Sequence, residues 1–176
     1  MKRFLSAVAG LTLAAVVAAP ASAQSATELR TVRFGVQGGL SMPMGDFGDA
    51  ANSGYIIGGL VDWRSANLPF GLRFNVDYQS WGSDADVDWS SLSGTADAMF
   101  TVPTTGGISP YVLGGVGMYR LDCSAGDFDC EGSNEFGFNL GGGVNFNLGE
   151  MGTFAEIRYH NVDEMSFVPI VFGIRF

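Results

Sequence analysis

The feature that most constrains the fold of this 176-residue chain is an alternation of apolar and polar residues. It is clearest between Glu135 and Leu148, where every even-numbered residue except Gly142 is apolar and the residues between are Gly, Asn or Glu. The same pattern occurs at residues 70–79 and from Val168 to Phe176. Side chains alternate between the two faces of a β-strand, so this period predicts strands with one apolar and one polar face.

Weaker copies of the pattern bring the number of predicted strands to eight. No stretch has convincing 3.6-residue periodicity, so we expect no long helix. Short connections alternate with longer, more acidic ones, near residues 43–54, 80–91, 122–134 and 161–166. An antiparallel meander sends alternate connections to opposite ends, so one end carries turns and the other carries loops. The predicted strands are 32–42, 55–64, 70–79, 95–102, 111–121, 135–148, 155–160 and 168–176.

The first 23 residues predict a cleaved secretory signal peptide. Lys2 and Arg3 precede an apolar run from Phe4 to Ala19, and Ala21-Ser-Ala23 provides small residues before a cleavage point. The run is shorter than the roughly 20 residues of a spanning helix. We therefore expect an exported chain that consists of residues 24–176 as one domain.

The mature chain is strongly acidic and contains no Lys. Residues 24–176 hold 7 Arg and 18 acidic residues, for a formal net charge of −11. Phosphate backbones are bound by clustered Lys and Arg, so we expect no nucleic-acid partner. No motif indicates a cofactor.

The polar face of the predicted strands carries six Arg and five acidic residues. Such a nearly balanced set, with many Gly, fits the narrow interior of a closed barrel better than a solvated surface. Aromatic residues gather near both strand ends, as at membrane interfaces. The alternative is a soluble lipocalin-like barrel with its apolar face inward. The predicted interior charge network comprises Arg33, Arg64, Arg73, Asp77, Asp97, Arg120, Glu135, Glu156, Arg158 and Arg175. The predicted aromatic girdles are Trp63, Phe100, Tyr111, Phe146 and Phe176 at the turn end, and Tyr55, Tyr78, Tyr119, Phe136 and Tyr159 at the loop end.

The signal peptide, the eight strands, the turn and loop asymmetry and the C-terminal segment Val168–Phe176 resemble the small outer-membrane β-barrel proteins. This family includes the transmembrane domain of outer membrane protein A and its eight-stranded relatives. The resemblance implies an all-β, eight-stranded antiparallel up-and-down transmembrane barrel in the bacterial outer membrane, in contact with lipid and lipopolysaccharide. It also implies that the C-terminal segment carries the insertion signal read by the barrel assembly machinery. The residues of this signal are Ile170, Phe172, Ile174 and Phe176. We expect a monomer.

The two cysteines, Cys123 and Cys130, lie seven residues apart in the third long connection. In an oxidising compartment an even pair within one loop predicts a disulfide. A metal site is the alternative, but two Cys without a nearby His supply too few ligands.

The long connections hold eleven acidic residues and no Lys or Arg. Asp84-x-Asp86-x-Asp88 is similar to the start of a calcium loop, but Trp89 and Thr95 stand where an EF-hand needs Gly and Glu. A hydrated surface is one interpretation. Another is that the acids share divalent cations with lipopolysaccharide. These acids are Asp46, Asp49, Asp84, Asp86, Asp88, Asp122, Asp127, Asp129, Glu131, Asp163 and Glu164.

His160 is the only histidine. Some eight-stranded barrels are lipid A deacylases or acyltransferases that use Ser and His. The deacylase type places a Ser two residues after its His, where this chain has Val162. We therefore expect His160 to pack in the polar interior, and we expect no enzyme activity and no catalytic residue.

These features predict a structural or surface-interaction role, in envelope integrity or in recognition through acidic loops. One alternative is a narrow ion or small-solute pore. A barrel of eight strands has an interior just filled by side chains, which excludes a wide porin-like channel. A second alternative is a lipid A-modifying enzyme.

Overall fold

A computed structural model describes residues 31–65, 67–83, 87–125, 128–129, 132–149, 151–163 and 165–176. The predicted signal peptide lies outside this part of the chain. The described elements are β1 (Thr31–Met44), α1 (Asp46–Ala50), β2 (Gly54–Arg64), β3 (Gly71–Trp81), β4 (Val87–Thr101), β5 (Ile108–Ala125), β6 (Phe128–Asp129), β7 (Ser133–Leu148), β8 (Met151–Val162) and β9 (Met165–Arg175).

Eight of these strands close into one antiparallel up-and-down barrel. Each strand of the wall pairs with the next along the chain, and β9 returns to pair with β1. The two-residue strand β6 pairs only with the end of β5 and takes no part in the wall. Closure leaves no unpaired edge, and the predicted eight-stranded antiparallel barrel is confirmed.

The apolar face of the wall points outward. On β7, the outward Leu140 is 65% exposed while its inward neighbour Asn139 is 3% exposed. The same contrast separates Val76 from Asp77 on β3 and Ile157 from Glu156 on β8. The outside therefore matches lipid, and the inside matches a polar filling. The lipocalin-like alternative, with its apolar face inward, is wrong. In the described ranges, no helix is long and apolar enough to cross a membrane.

Strand β5 faces the opposite way from the prediction. Tyr111 and Tyr119 are buried in the interior and are not girdle residues, and Leu113 lies inside with them. Val116 and Met118 face outward. The prediction failed because apolar residues occupy both faces of this strand, so polarity did not identify the inward face.

The loop end also differs from expectation. β4 begins at Val87 and β5 continues to Ala125, so Asp88 and Asp122 lie in strands rather than in loops. β8 ends at Val162 and β9 begins at Met165, so only two residues separate them where a long loop was expected. Residues 46–50 form the five-residue helix α1, which packs against β1 and β9 and buries Phe47.

The outer surface keeps the rest of the predicted girdles. Tyr55, Tyr78, Phe136 and Tyr159 are exposed toward the loop end, and Phe100 and Phe176 toward the turn end. Trp63 and Phe146 are partly exposed there. The predicted insertion-signal side chains point outward at every second position of β9. Phe176, which follows β9, is 74% exposed. Aromatic rings at both ends of an apolar band suit the two membrane interfaces.

Candidate functional site

The centre of the barrel holds a ladder of buried charges that begins with Arg73. Strand register places Arg73 on β3 between Asp62 on β2 and Asp97 on β4. Its guanidinium donates to both carboxylate oxygens of Asp62, from Nε at 2.6 Å and from Nη2 at 3.2 Å. Its Nη1 reaches Glu156 Oε2 on β8 at 2.7 Å. Arg73 is 0% exposed, so all three contacts form away from water.

A second arginine, Arg158, completes the ladder from β8. It donates to Glu156 through Nε at 3.0 Å and through Nη2, and to Asp97 Oδ2 through Nη1 at 3.1 Å. Asn75 and Asn139 donate to the two oxygens of Asp97, at 2.8 and 2.7 Å. These contacts connect β3 and β4 with β8, which lies across the barrel from them, so the cluster forms a single unit. We call it the buried ion network: Asp62, Arg73, Asp97, Glu156, Arg158 and Arg175.

Aromatic side chains support the arginines of this network. Tyr111 Oη donates to Glu156 Oε2 at 2.7 Å. The guanidinium groups of Arg73 and Arg175 lie 5.0 and 4.3 Å from the ring centroid of Phe154, which is a cation–π arrangement. Gly173 allows this packing, because a Cβ at that position would overlap the Phe154 ring. Arg73 is thus held on several sides, while Arg175 packs on Phe154 with one side toward the turn end.

Toward the loop end the interior filling consists mainly of uncharged polar side chains around Asp77. Gln37 Nε2 donates to Asp77 Oδ1 at 2.6 Å, and no described cation forms an ion pair with that carboxylate. Ser41 Oγ donates to Gln79 Oε1 at 2.8 Å and accepts from Trp81 Nε1 at 3.1 Å. Hydrogen bonding of this kind offsets the cost of burying polar groups.

An aromatic cluster then closes the loop end. Phe47 of α1 contacts Trp81 and Trp89 edge to face, with ring centroids 5.3 and 5.9 Å apart. Beneath it, Trp81, Tyr119 and Phe167 pack together at 0–1% exposure. We call this group the loop-end cap: Phe47, Trp81, Trp89, Tyr119 and Phe167.

His160 lies at the base of this cap. Its Nδ1 is 2.7 Å from Tyr119 Oη, and its ring stacks on Phe167 at a centroid distance of 4.9 Å. It is 2% exposed. No serine or carboxylate is hydrogen-bonded to the ring among the described residues.

The turn end is open and holds a cavity of about 330 Å³. Arg33, Arg64 and Arg175 line it, and Asp62 is the one carboxylate among its described lining residues. Arg175 Nη1 donates to Asn145 Oδ1 at 2.6 Å. Its Nε lies 2.8 Å from Asp62 Oδ2 but outside hydrogen-bond geometry, and its buried Nη2 has no described partner.

The ten residues of the predicted interior charge network separate into four groups. Arg73, Asp77, Asp97, Glu156, Arg158 and Arg175 are buried inside the barrel. Arg33 and Arg64 are exposed at its turn-end mouth, and Glu135 is half-buried at the loop end without a described ion pair. Arg120 was predicted to face the interior, and this prediction is wrong.

Arg120 points outward from β5, with its side chain 58% exposed and paired with Asp122 at 3.3 Å. Charge alone suggested an inward position, since charged side chains avoid lipid. Near the loop end, however, an outward charge reaches water or headgroups and has no such penalty.

The predicted network counted charged residues only, although alternation also places Gln37, Asn75 and Asn139 on the polar side of their strands. It left out Asp62, the fifth acidic residue of the predicted polar face. Tyr111 could not be found without the correct facing of β5.

The predicted disulfide and the loop acids are described only in part. Cys130 lies outside the described residues, so its pairing with Cys123 stays a prediction. Asp46, Asp49, Asp88 and Asp163 are exposed at the loop end. Asp84, Asp86, Asp127, Glu131 and Glu164 also lie outside the described part. Within that part, no group of three or more His, Cys, Asp or Glu could hold a metal ion.

The sequence matches the family model of the outer membrane protein beta-barrel domain over residues 9–174. The chain belongs to this family. It is therefore a bacterial outer-membrane protein, as the outward apolar band and aromatic girdles require. No curated protein is a significant match.

Solved structures of outer-membrane barrels share the fold. Neisserial surface protein A is 18% identical, with 83% of this chain and 97% of that chain covered and a TM-score of 0.66. The Ail attachment invasion protein of Yersinia pestis is 19% identical, with coverages of 85% and 98% and a TM-score of 0.52. The outer membrane enzyme PagL is 17% identical, with coverages of 83% and 99% and a TM-score of 0.52. At these identities the three structures show a shared fold.

Proposed function

We propose that this protein acts through its surfaces, as a structural element of the outer membrane whose acidic loop end contacts lipopolysaccharide or another surface partner. The observation that carries this proposal is the filled interior. The buried ion network spans the barrel between β3, β4 and β8, and the loop-end cap lies above it. Filling of the described interior favours a role for the outer and loop surfaces over transport through the barrel.

The same observation weighs against the alternative of a narrow pore. Arg73 and Arg158 each contact two carboxylates, so an open path would require several buried ion pairs to break together. Breaking one such pair by removing a partner costs about 3–5 kcal/mol. We therefore expect rigid filling rather than a gate.

The loop end offers a chemically distinct contact surface. Four of its described acids, Asp46, Asp49, Asp88 and Asp163, are exposed and show no ion pair with a described cation, while Asp122 pairs with Arg120. Carboxylates facing the phosphate-rich outer leaflet favour shared divalent cations, because each ion neutralises both partners. We infer a cation-bridged contact with lipopolysaccharide rather than a dedicated metal site.

We expect no lipid A-modifying activity. The likeness to PagL concerns the fold, and His160 lies inside the barrel between Tyr119 and Phe167 instead of facing lipid. Position 162, two residues after it, is a buried valine. A general base must reach the group whose proton it takes, and this ring is enclosed by apolar and phenolic neighbours.

Two measurements test the proposal. Lipid A from cells with and without the protein is compared by mass, and identical spectra are expected. Cells that lack the protein are then challenged with detergent and chelator. Increased sensitivity, restored by the wild-type protein but not by Asp46→Asn/Asp49→Asn/Asp88→Asn/Asp163→Asn, supports the loop surface. Full rescue by this folded variant, or altered lipid A, would contradict the proposal.

A further inference from the structure

The turn-end cavity gathers positive charge that the overall composition conceals. Strand order β2-β1-β9 places Arg64, Arg33 and Arg175 on three adjacent strands, and all three line the same space. The mature chain has a formal net charge of −11 and only seven Arg. Three of those seven therefore meet at one mouth of an acidic protein.

The carboxylate at this cavity does not neutralise the three guanidinium groups. Asp62 accepts two hydrogen bonds from Arg73 below the cavity and also lies beside Arg175. Arg33 and Arg64 form no ion pair with a described carboxylate, and Arg64 Nη2 is occupied by the hydroxyl of Thr101 at 2.7 Å. Positive charge thus exceeds negative charge among the described lining residues.

One donor in the cavity is buried and has no partner. Arg175 is 7% exposed and fixed by Asn145 and by the Phe154 ring, yet its Nη2 meets no acceptor among the described residues. A buried donor without an acceptor is costly, so the wall of this cavity holds a guanidinium whose hydrogen-bonding capacity is not used up by the described residues.

We propose that the turn-end cavity, lined by Arg33, Arg64 and Arg175, binds a phosphate group. Arginine forks match phosphate oxygens in bidentate geometry, and a phosphate has enough oxygens for several forks at once. The turns of outer-membrane barrels face the periplasm. The group therefore comes either from free inorganic phosphate or from an inner-leaflet phospholipid headgroup. The site lies at the end opposite the acidic loops and does not depend on their role.

The test uses the mature protein folded in a phosphate-free glycoside detergent. Titration calorimetry with inorganic phosphate measures the free-anion arm, and native mass spectrometry after exposure to phosphatidylglycerol measures the lipid arm. Arg33→Gln and Arg64→Gln change exposed side chains outside the buried ion network, and Arg120→Gln is the matched control at the other end. Unchanged heat-modifiable migration on gels establishes that each variant is folded.

We expect phosphate affinity, or retention of one phospholipid, to fall about tenfold in Arg33→Gln and in Arg64→Gln, because each loses a charge-assisted contact. Arg120→Gln should bind as the wild type does. Loss in the calorimetric arm identifies free phosphate as the source, and loss only in the lipid arm identifies the headgroup. Absence of binding in both arms, or equal binding by all three variants, would overturn the proposal.

Discussion

At the scale of single residues, burial gives the arginines of this protein opposite roles. Arg158 is enclosed and contacts both Glu156 and Asp97, while Arg120 extends from the outer face with one exposed partner. The desolvation already incurred inside the barrel makes each buried partner dependent on the other. An exposed ion pair has little such dependence, because water replaces the lost contact.

Replacing these two arginines should therefore give very different results. Arg158→Gln leaves two buried carboxylates short of a cation and should lower the free energy of unfolding by about 3–5 kcal/mol. Arg120→Gln should change it by about 1 kcal/mol or less. Urea unfolding in lipid vesicles measures both, and equal effects would contradict the buried placement of Arg158.

His160 supplies a second prediction at this scale. His160→Ala should leave lipid A unchanged, since the ring packs against Tyr119 and Phe167 and faces no substrate. It should still lower stability by about 2–5 kcal/mol, as expected for a large buried side chain cut to a methyl group. Mass analysis of lipid A and unfolding of the purified variant separate the two roles. A modification of lipid A that the wild-type protein produces and the variant does not would show catalysis instead.

At the scale of elements, the inward face of a strand could be predicted where its two faces differ in polarity, and could not where they are alike. β3 and β7 combine apolar residues on one face with mainly Gly, Asn, Gln or charged residues on the other, so their facing could be predicted. β5 has Tyr111 inside beside Val112 outside, and only the register with β4 and β7 determines which one faces lipid. The ion network was predictable as a set of charges, but its pairings depend on cross-barrel geometry. The loop-end cap was unforeseen because α1 is too short to show a helical period.

Substitution of a glycine tests how closely the side chains pack inside the barrel. Gly173→Ala places a methyl group into the Phe154 ring and should cost about 1–3 kcal/mol through overpacking. Gly94→Ala is the matched control, because Gly94 is exposed on β4 and a Cβ there meets nothing within 4 Å. The comparison is made by unfolding both variants in the same vesicles. A Gly173→Ala barrel as stable as the control would argue against tight packing around Phe154.

At the scale of the whole molecule, charge is distributed unevenly between the two ends. Asp46, Asp49, Asp88 and Asp163 are exposed at the loop end, whereas three arginines meet at the turn end. If the acids bridge to lipopolysaccharide through divalent cations, chelator should lower the unfolding temperature in lipopolysaccharide but not in neutral detergent. Gel migration after stepwise heating measures this difference. Equal effects of chelator in both media would contradict the proposed cation bridge.

The central claim is that the barrel is filled and acts through its surfaces, and single-channel recording tests it most directly. The protein is folded into planar bilayers after its heat-modifiable migration has established insertion. The buried ion network and the loop-end cap predict flat current traces up to high voltage, because paired and closely packed side chains fill the described interior. Reproducible conductance steps from the folded wild-type protein would contradict the account and make the narrow pore its function.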